Sequence, residues 1–180
     1  MEEKLNKLNS KVNFLVFLVI ISLFLNIMIL GGGTSRDAAN DDPTQDLVYD
    51  VSNFKEIKAA DIASFDKDEI NVIYIGRDTC VWCLNMLDTL KQAQKDYGYT
   101  TKYIDIAKII DYSKNAIIDV EAYETLTNLK TAKDQEGVMA KFGNTPMMLV
   151  MKNNKIIASQ VGYSDYDTFA KVLEKGGLKK

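Results

Sequence analysis

The chain has 180 residues, with 22 Lys and Arg against 25 Asp and Glu, giving a formal charge of -3 at pH 7. That length suits one domain plus accessory segments, and the balance holds no basic surplus of the kind that binds nucleic acid. The sequence has no histidine and only two cysteines, Cys80 and Cys83. These supply neither a separate disulfide framework nor, within one chain, the four ligands of a structural zinc site.

Residues 1–12 are polar and carry Lys4, Lys7 and Lys11, and residues 14–30 contain no charge at all. With the flanking residues, about 20 positions are available to cross a hydrocarbon core about 30 Å thick. The pattern predicts a transmembrane signal anchor over residues 13–33, in which Ser22 and Asn26 are tolerated polar residues. The rival is a cleavable signal peptide, with Gly31-Gly32-Gly33 as the small-residue cleavage site. Its apolar region usually runs about 7–15 residues, shorter than this one. No cysteine stands here to accept a lipid. Arg36 is the only Lys or Arg between the span and Lys55, so the positive-inside rule puts residues 1–12 in the cytoplasm and the rest outside. Residues 34–46 lack apolar periodicity and read as a flexible tether, with Asp41 and Asp42 as solvated linker charge.

The globular part is predicted over residues 47–180. A first strand falls within residues 51–57, a short helix over 58–65 and a polar turn over 66–69. Val72-Ile73-Tyr74-Ile75 is a buried strand, Gly76-Arg77-Asp78-Thr79 a connector, and Cys80-Val81-Trp82-Cys83 follows directly. Leu84, Met86, Leu87, Leu90, Ala93 and Tyr97 recur at helical spacing up to Gly98. Residues 101–106 return as a strand. Residues 108–142 read as mostly helical, with Ile109, Ile117, Val120, Tyr123, Leu126 and Leu129 as an uneven apolar stripe. Pro146 opens an apolar strand that pairs through Asn153 and Asn154 with residues 156–161 as an antiparallel hairpin. A helix over 165–173 closes the chain.

Strand, short loop, then a C-x-x-C at a helix start is an arrangement with chemistry in it. Unpaired N–H groups and the dipole at a helix N-terminus favour an anion, so a thiolate at Cys80 is stabilised. Cys80 is then the exposed nucleophile and Cys83, one turn further in, the resolving thiol. A structural disulfide is the plain alternative, although a loop so short constrains the unfolded chain little. Covalent haem attachment needs a histidine after the second cysteine, where Leu84 stands.

This order of elements resembles the thioredoxin superfamily. A second signature supports it: Lys141-Phe142-Gly143-Asn144-Thr145-Pro146, then the hairpin, then Val161-Gly162. The resemblance covers nearly all of residues 50–175. Tyr74-Ile75-Gly76-Arg77 running into the cysteine pair, together with the anchor, looks most like the membrane-anchored bacteriocin-transport-accessory thioredoxin-like proteins of Gram-positive bacteria. The resemblance implies an α/β fold with a central mixed sheet flanked by helices, and here a helical insertion before the proline. It also implies that Pro146 is cis and faces the dithiol, and that the backbone of Thr145 pairs with an extended substrate strand. Three positions depart from the family. Its buried aspartate six residues before the first cysteine is Tyr74, its Gly-Pro between the cysteines is Val81-Trp82, and its short helix before the proline is replaced by residues 108–142.

The resulting expectation is a membrane-tethered extracytoplasmic thiol–disulfide oxidoreductase for secreted or surface proteins or peptides. Val81 and Trp82 would tune the potential, and Arg77 would aid the Cys80 thiolate or serve only as a solvated loop charge. It uses no cofactor or metal and exchanges electrons with a redox partner whose identity the sequence leaves open. The alternative is a non-catalytic accessory module that binds an exporter or secreted peptide. The lysine asymmetry makes the topology testable. Protease added to intact cells stripped of wall should digest residues 34–180, and full protection in sealed cells would overturn the orientation.

Overall fold

The computed structural model describes residues 48–180. The expected cytoplasmic segment 1–12, membrane span 13–33 and tether 34–46 lie outside the described residues. Among the described residues, no helix is long and apolar enough to cross a membrane.

Two strands carry the core, β2 (Asn71–Gly76) and β7 (Met147–Lys152). β2 is buried at every position and β7 at all but its last. Near-continuous burial on both faces is what a central strand covered by two layers requires. Around them lie β1 (Lys55–Glu56), β3 (Lys102–Asp105), β6 (Lys130–Thr131) and β8 (Lys155–Val161). The six-stranded sheet has the order β1-β3-β2-β7-β8-β6. β1, β3 and β2 run parallel, β7 is antiparallel to both β2 and β8, and β6 is parallel to β8. The mixed α/β architecture, a central mixed sheet flanked by helices, is therefore as expected. At both borders the sheet ends in a strand of 2 residues, each beginning with a lysine.

Alternation along the strands sends side chains to opposite faces. Val72, Tyr74, Met148 and Val150 pack against helices α1 (Val81–Tyr97) and α3 (Tyr166–Lys175). Ile73, Ile75, Met147, Leu149 and Met151 pack on the other side. Ala59 and Ile62 of the 3-10 helix Ala59–Ser64, and Leu126 of α2 (Val120–Thr127), meet them there. Each fully buried side chain of this size contributes about 1.5–3 kcal/mol relative to exposure. A bulge between Val150 and Met151 shifts the β7–β8 register by one residue. The two strands turn through Asn153 and Asn154, at φ 50° and 54°. Positive φ at both central residues is the requirement of the tight hairpin turn that matches strand twist.

Helix α1 begins three residues earlier than its apolar stripe suggested, at Val81, so that Cys83 falls in its first turn. Its buried stripe is Cys83, Met86, Leu87, Leu90, Ala93 and Tyr97 with Thr89. It stops at Gly98, which at φ 66° donates its N–H to the Gln94 carbonyl. The first strand is Lys55–Glu56, within the residues where it was expected.

The helical insertion expected over residues 108–142 is corrected. Only α2, of 8 residues, is α-helical there. The segment opens instead with a small hairpin of β4 (Ile110–Asp111) and β5 (Ala116–Ile117), and continues through β6 and two 3-10 turns, Lys133–Gln135 and Val138–Lys141. Local side-chain bonding decides the matter. Asp111 Oδ1 accepts from the Ser113 N–H and hydroxyl and from the Lys114 N–H, which fixes a turn where a helix would need its own ladder. Asn115 then takes φ 50°. Ile110 and Ile117, seven apart as on a helix face, are cross-strand partners.

Gly76 ends β2 and lies under the ring of Tyr74. A Cβ at Gly76 would lie 2.3 Å from the Tyr74 hydroxyl and 2.4 Å from the carbon bearing it. Gly76→Ala should therefore displace the Tyr74 ring and lower stability by about 1–3 kcal/mol, the usual cost of overpacking. Urea denaturation measures it, and a variant as stable as the wild type would contradict the packing described.

Candidate active site

Chain direction and sheet order bring the site together. β2 ends at Gly76, the loop Arg77-Asp78-Thr79 turns the chain, and Cys80 caps α1 from an extended conformation at φ -103° and ψ 107°. Cys80 and Cys83 are joined by a disulfide. The Cys83 N–H donates to Cys80 Sγ at 3.1 Å, so the sulfur takes the place that a serine or aspartate oxygen fills at other helix starts. The same bond would favour negative charge on that sulfur when the pair is reduced.

The loop before β7 closes over the sulfur. The Thr145-Pro146 peptide is cis. The Thr145 hydroxyl donates to Cys80 Sγ at 3.3 Å, and the Thr145 carbonyl oxygen lies 3.6 Å from the same sulfur. The hydroxyl favours a thiolate, while the carbonyl favours the protonated thiol. The Pro146 carbonyl is held by the Gly162 N–H at 2.8 Å. This loop leaves Cys80 only 7% exposed, with Cys83 at 0%. Cys80 is thus the more accessible of the two, but less open than a bare helix tip suggested, because Thr145 covers it.

The remaining residues singled out in the sequence divide. Val81 and Trp82 project outward, at 60% and 58% exposure. The Trp82 indole packs on Tyr163, with ring centroids 5.8 Å apart. Tyr163 was missed, although it directly follows the Val161-Gly162 signature. Arg77 is turned along the rim: its guanidinium donates to the Thr79 hydroxyl and stacks 4.1 Å from the centroid of Tyr112. Its backbone carbonyl accepts from the Cys80 N–H at 3.4 Å.

Beneath the pair stands Tyr74, six residues before Cys80. Its hydroxyl donates to the Cys83 carbonyl at 3.4 Å and lies 3.2 Å from the Tyr49 hydroxyl, which in turn donates to that of Tyr103 at 3.2 Å. Tyr74 and Tyr103 stack at 5.5 Å. Burial, first among the causes, raises all three phenols, Tyr103 to about 12. They stay neutral at physiological pH. Among the described residues, the buried polar groups are Asn71, Thr89, Thr101, Gln135 and Ser164, and none is a carboxylate. Cys83 therefore has a phenolic floor with no acid in it.

No protein-family model matches the chain, and no curated protein matches it.

Thr145 supplies a side-chain donor to Cys80, and its loss has a defined sign. In the reduced protein, Thr145→Val removes a donor to the thiolate and should shift the pH of half-maximal Cys80 alkylation upward. A hydrogen bond to a charged group is worth about 1.5–3 kcal/mol, hence roughly one to two pH units. A profile that stays in place, or moves down, would show that the hydroxyl does not stabilise the thiolate.

Proposed function

We propose that the chain is a thioredoxin-like thiol–disulfide oxidoreductase acting on cysteines of secreted or surface proteins and peptides. It is tethered through residues 13–33 with residues 34–180 on the extracytoplasmic side. The observation that carries this reading is the Cys80–Cys83 pair at the first turn of α1, with Thr145 and Pro146 against the outer sulfur. The sheet order, the buried β2 strand leading into the pair, and the cis Thr145-Pro146 bond support a thioredoxin-like fold. The lysines before the apolar stretch support the tether, and with it the kinship to bacteriocin-transport-accessory-type proteins.

The exchange balances as follows. A substrate thiolate attacks Cys80 Sγ, the bond to Cys83 breaks, and Cys83 leaves as a thiolate, the proton given up by the substrate thiol balancing the one it finally takes. A second substrate thiolate then attacks the substrate sulfur of the mixed disulfide and releases the Cys80 thiolate. Two substrate thiols become one disulfide, and the protein disulfide becomes a dithiol. Reduction of a substrate is the same path reversed. Donors aimed at Cys80 stabilise the reduced form, which favours oxidation or isomerisation of substrates. The missing buried carboxylate favours the same direction, because nothing near Cys83 draws off its proton for a rapid reductive step. Trp82 and Tyr163 form an exposed aromatic ledge beside the sulfur, suited to an apolar side chain next to the substrate cysteine.

That ledge equally favours the second reading, a non-catalytic accessory module that grips an exporter or secreted peptide. The two separate cleanly. In the catalytic reading Cys83→Ser accumulates covalent complexes through Cys80, resolved by reducing agent on gels, and Cys80→Ser accumulates none. Equal trapping by both single variants would refute the assigned roles. Full retention of function by the Cys80→Ser/Cys83→Ser double variant would leave the binding module standing instead.

A further inference from the structure

The hairpin β4–β5 packs on the core through Ile110, and a residue of its turn reaches both loops that hold Cys80. Tyr112 sits in the turn between the strands. Its hydroxyl donates to the Gly143 carbonyl at 2.7 Å, two residues before Thr145. Its ring carries the Arg77 guanidinium 4.1 Å from its centroid, three residues before Cys80. Arg77 bonds onward to Thr79 and, through its carbonyl, to the Cys80 N–H. Thr145 bonds onward to Cys80 Sγ.

Resting on the dithiol chemistry proposed above, we infer that Tyr112 is a positioning residue that clasps the Arg77 loop to the Gly143–Thr145 loop and so sets the Thr145 hydroxyl on Cys80. The turn that presents it is stiff. Besides the three bonds to Asp111 Oδ1, Lys114 Nζ lies 3.1 Å from Asp111 Oδ2, and Ile118 N–H donates to the Ile109 carbonyl at 2.9 Å. Burial raises the Tyr112 phenol, so it remains a donor to Gly143 at neutral pH. Gly143 itself stands at φ 100°, a conformation that side chains rarely adopt. The Arg77 guanidinium has no carboxylate partner among the described residues, so the Tyr112 ring is its main electrostatic neighbour.

An anchor that only secures the hairpin would alter stability and leave the sulfur untouched. A clasp alters the sulfur. The test is the equilibrium constant for protein disulfide plus two glutathione giving protein dithiol plus oxidised glutathione, measured on the full chain in detergent. Tyr112→Phe keeps the ring under Arg77 and removes the bond to Gly143; its constant should fall about 3- to 10-fold, the worth of one net hydrogen bond. Tyr112→Leu also removes the ring and should lower it further. Tyr112 is 37% exposed, so neither change opens the core. Constants equal to the wild type in both variants overturn the clasp, as does a fall in melting temperature with the constant unmoved. A wild-type chain that does not exchange with glutathione at all defeats the underlying chemistry, and the clasp with it.

Discussion

The N–H of Cys83, shared between the Cys80 carbonyl at 2.9 Å and the Cys80 sulfur at 3.1 Å, is the contact on which the site depends. It requires a helix that starts immediately at Cys80, and the helix can start there only because β2 ends four residues earlier and buries its whole length. A cap residue is ordinarily an oxygen whose task is to satisfy a free backbone donor. Here the same position is filled by an atom that can change its charge and its bonding. Folding and chemistry thus share one hydrogen bond. The sheet sets the position of the helix, and the helix sets the electrostatics of the sulfur.

What lies under that bond is aromatic rather than acidic. A carboxylate beneath the second cysteine would act as a proton store. Three phenols linked through their hydroxyls cannot do so near neutral pH, because burial holds them protonated. They fill volume, stack, and satisfy one another, and Tyr74 spends its donor on a backbone carbonyl rather than on a thiol. In the proposed exchange the outer sulfur would carry the chemistry, beside the Cys83 N–H and the Thr145 hydroxyl. The inner cysteine is sealed by helix and aromatic rings.

Much of this was legible in the sequence, for reasons that can be stated. The strands β2 and β7 are short unbroken apolar runs, α1 has a regular stripe ending in glycine, and the Asn-Asn turn marks its hairpin. Local pattern and global fold agree there. Cys80 and Cys83 were legible as the two cysteines of the sequence, set two residues apart after an apolar run, and Thr145 and Pro146 through the resemblance that their segment carries. The region from Lys108 onward was not. Ile110 and Ile117 have helical spacing, and only the polar side chains between them, which bond to the backbone, reveal a turn. Tyr112 and Tyr163 escaped for a different reason. Each is a lone tyrosine whose role comes from a contact across the fold, and no pattern along the chain distinguishes such a residue from an ordinary surface aromatic.

The borders of the sheet carry a consequence of their own. A long bare edge strand is a template on which another chain can add itself, and natural sheets blunt such edges with brevity and charge. Here both edges are two residues long and begin with lysine, Lys55 on one side and Lys130 on the other. Each border strand covers only the first two residues of its neighbour, so beyond Ile156 the outer edge of β8 has no strand paired to it among the described residues, and it is there that an added strand would find a ladder.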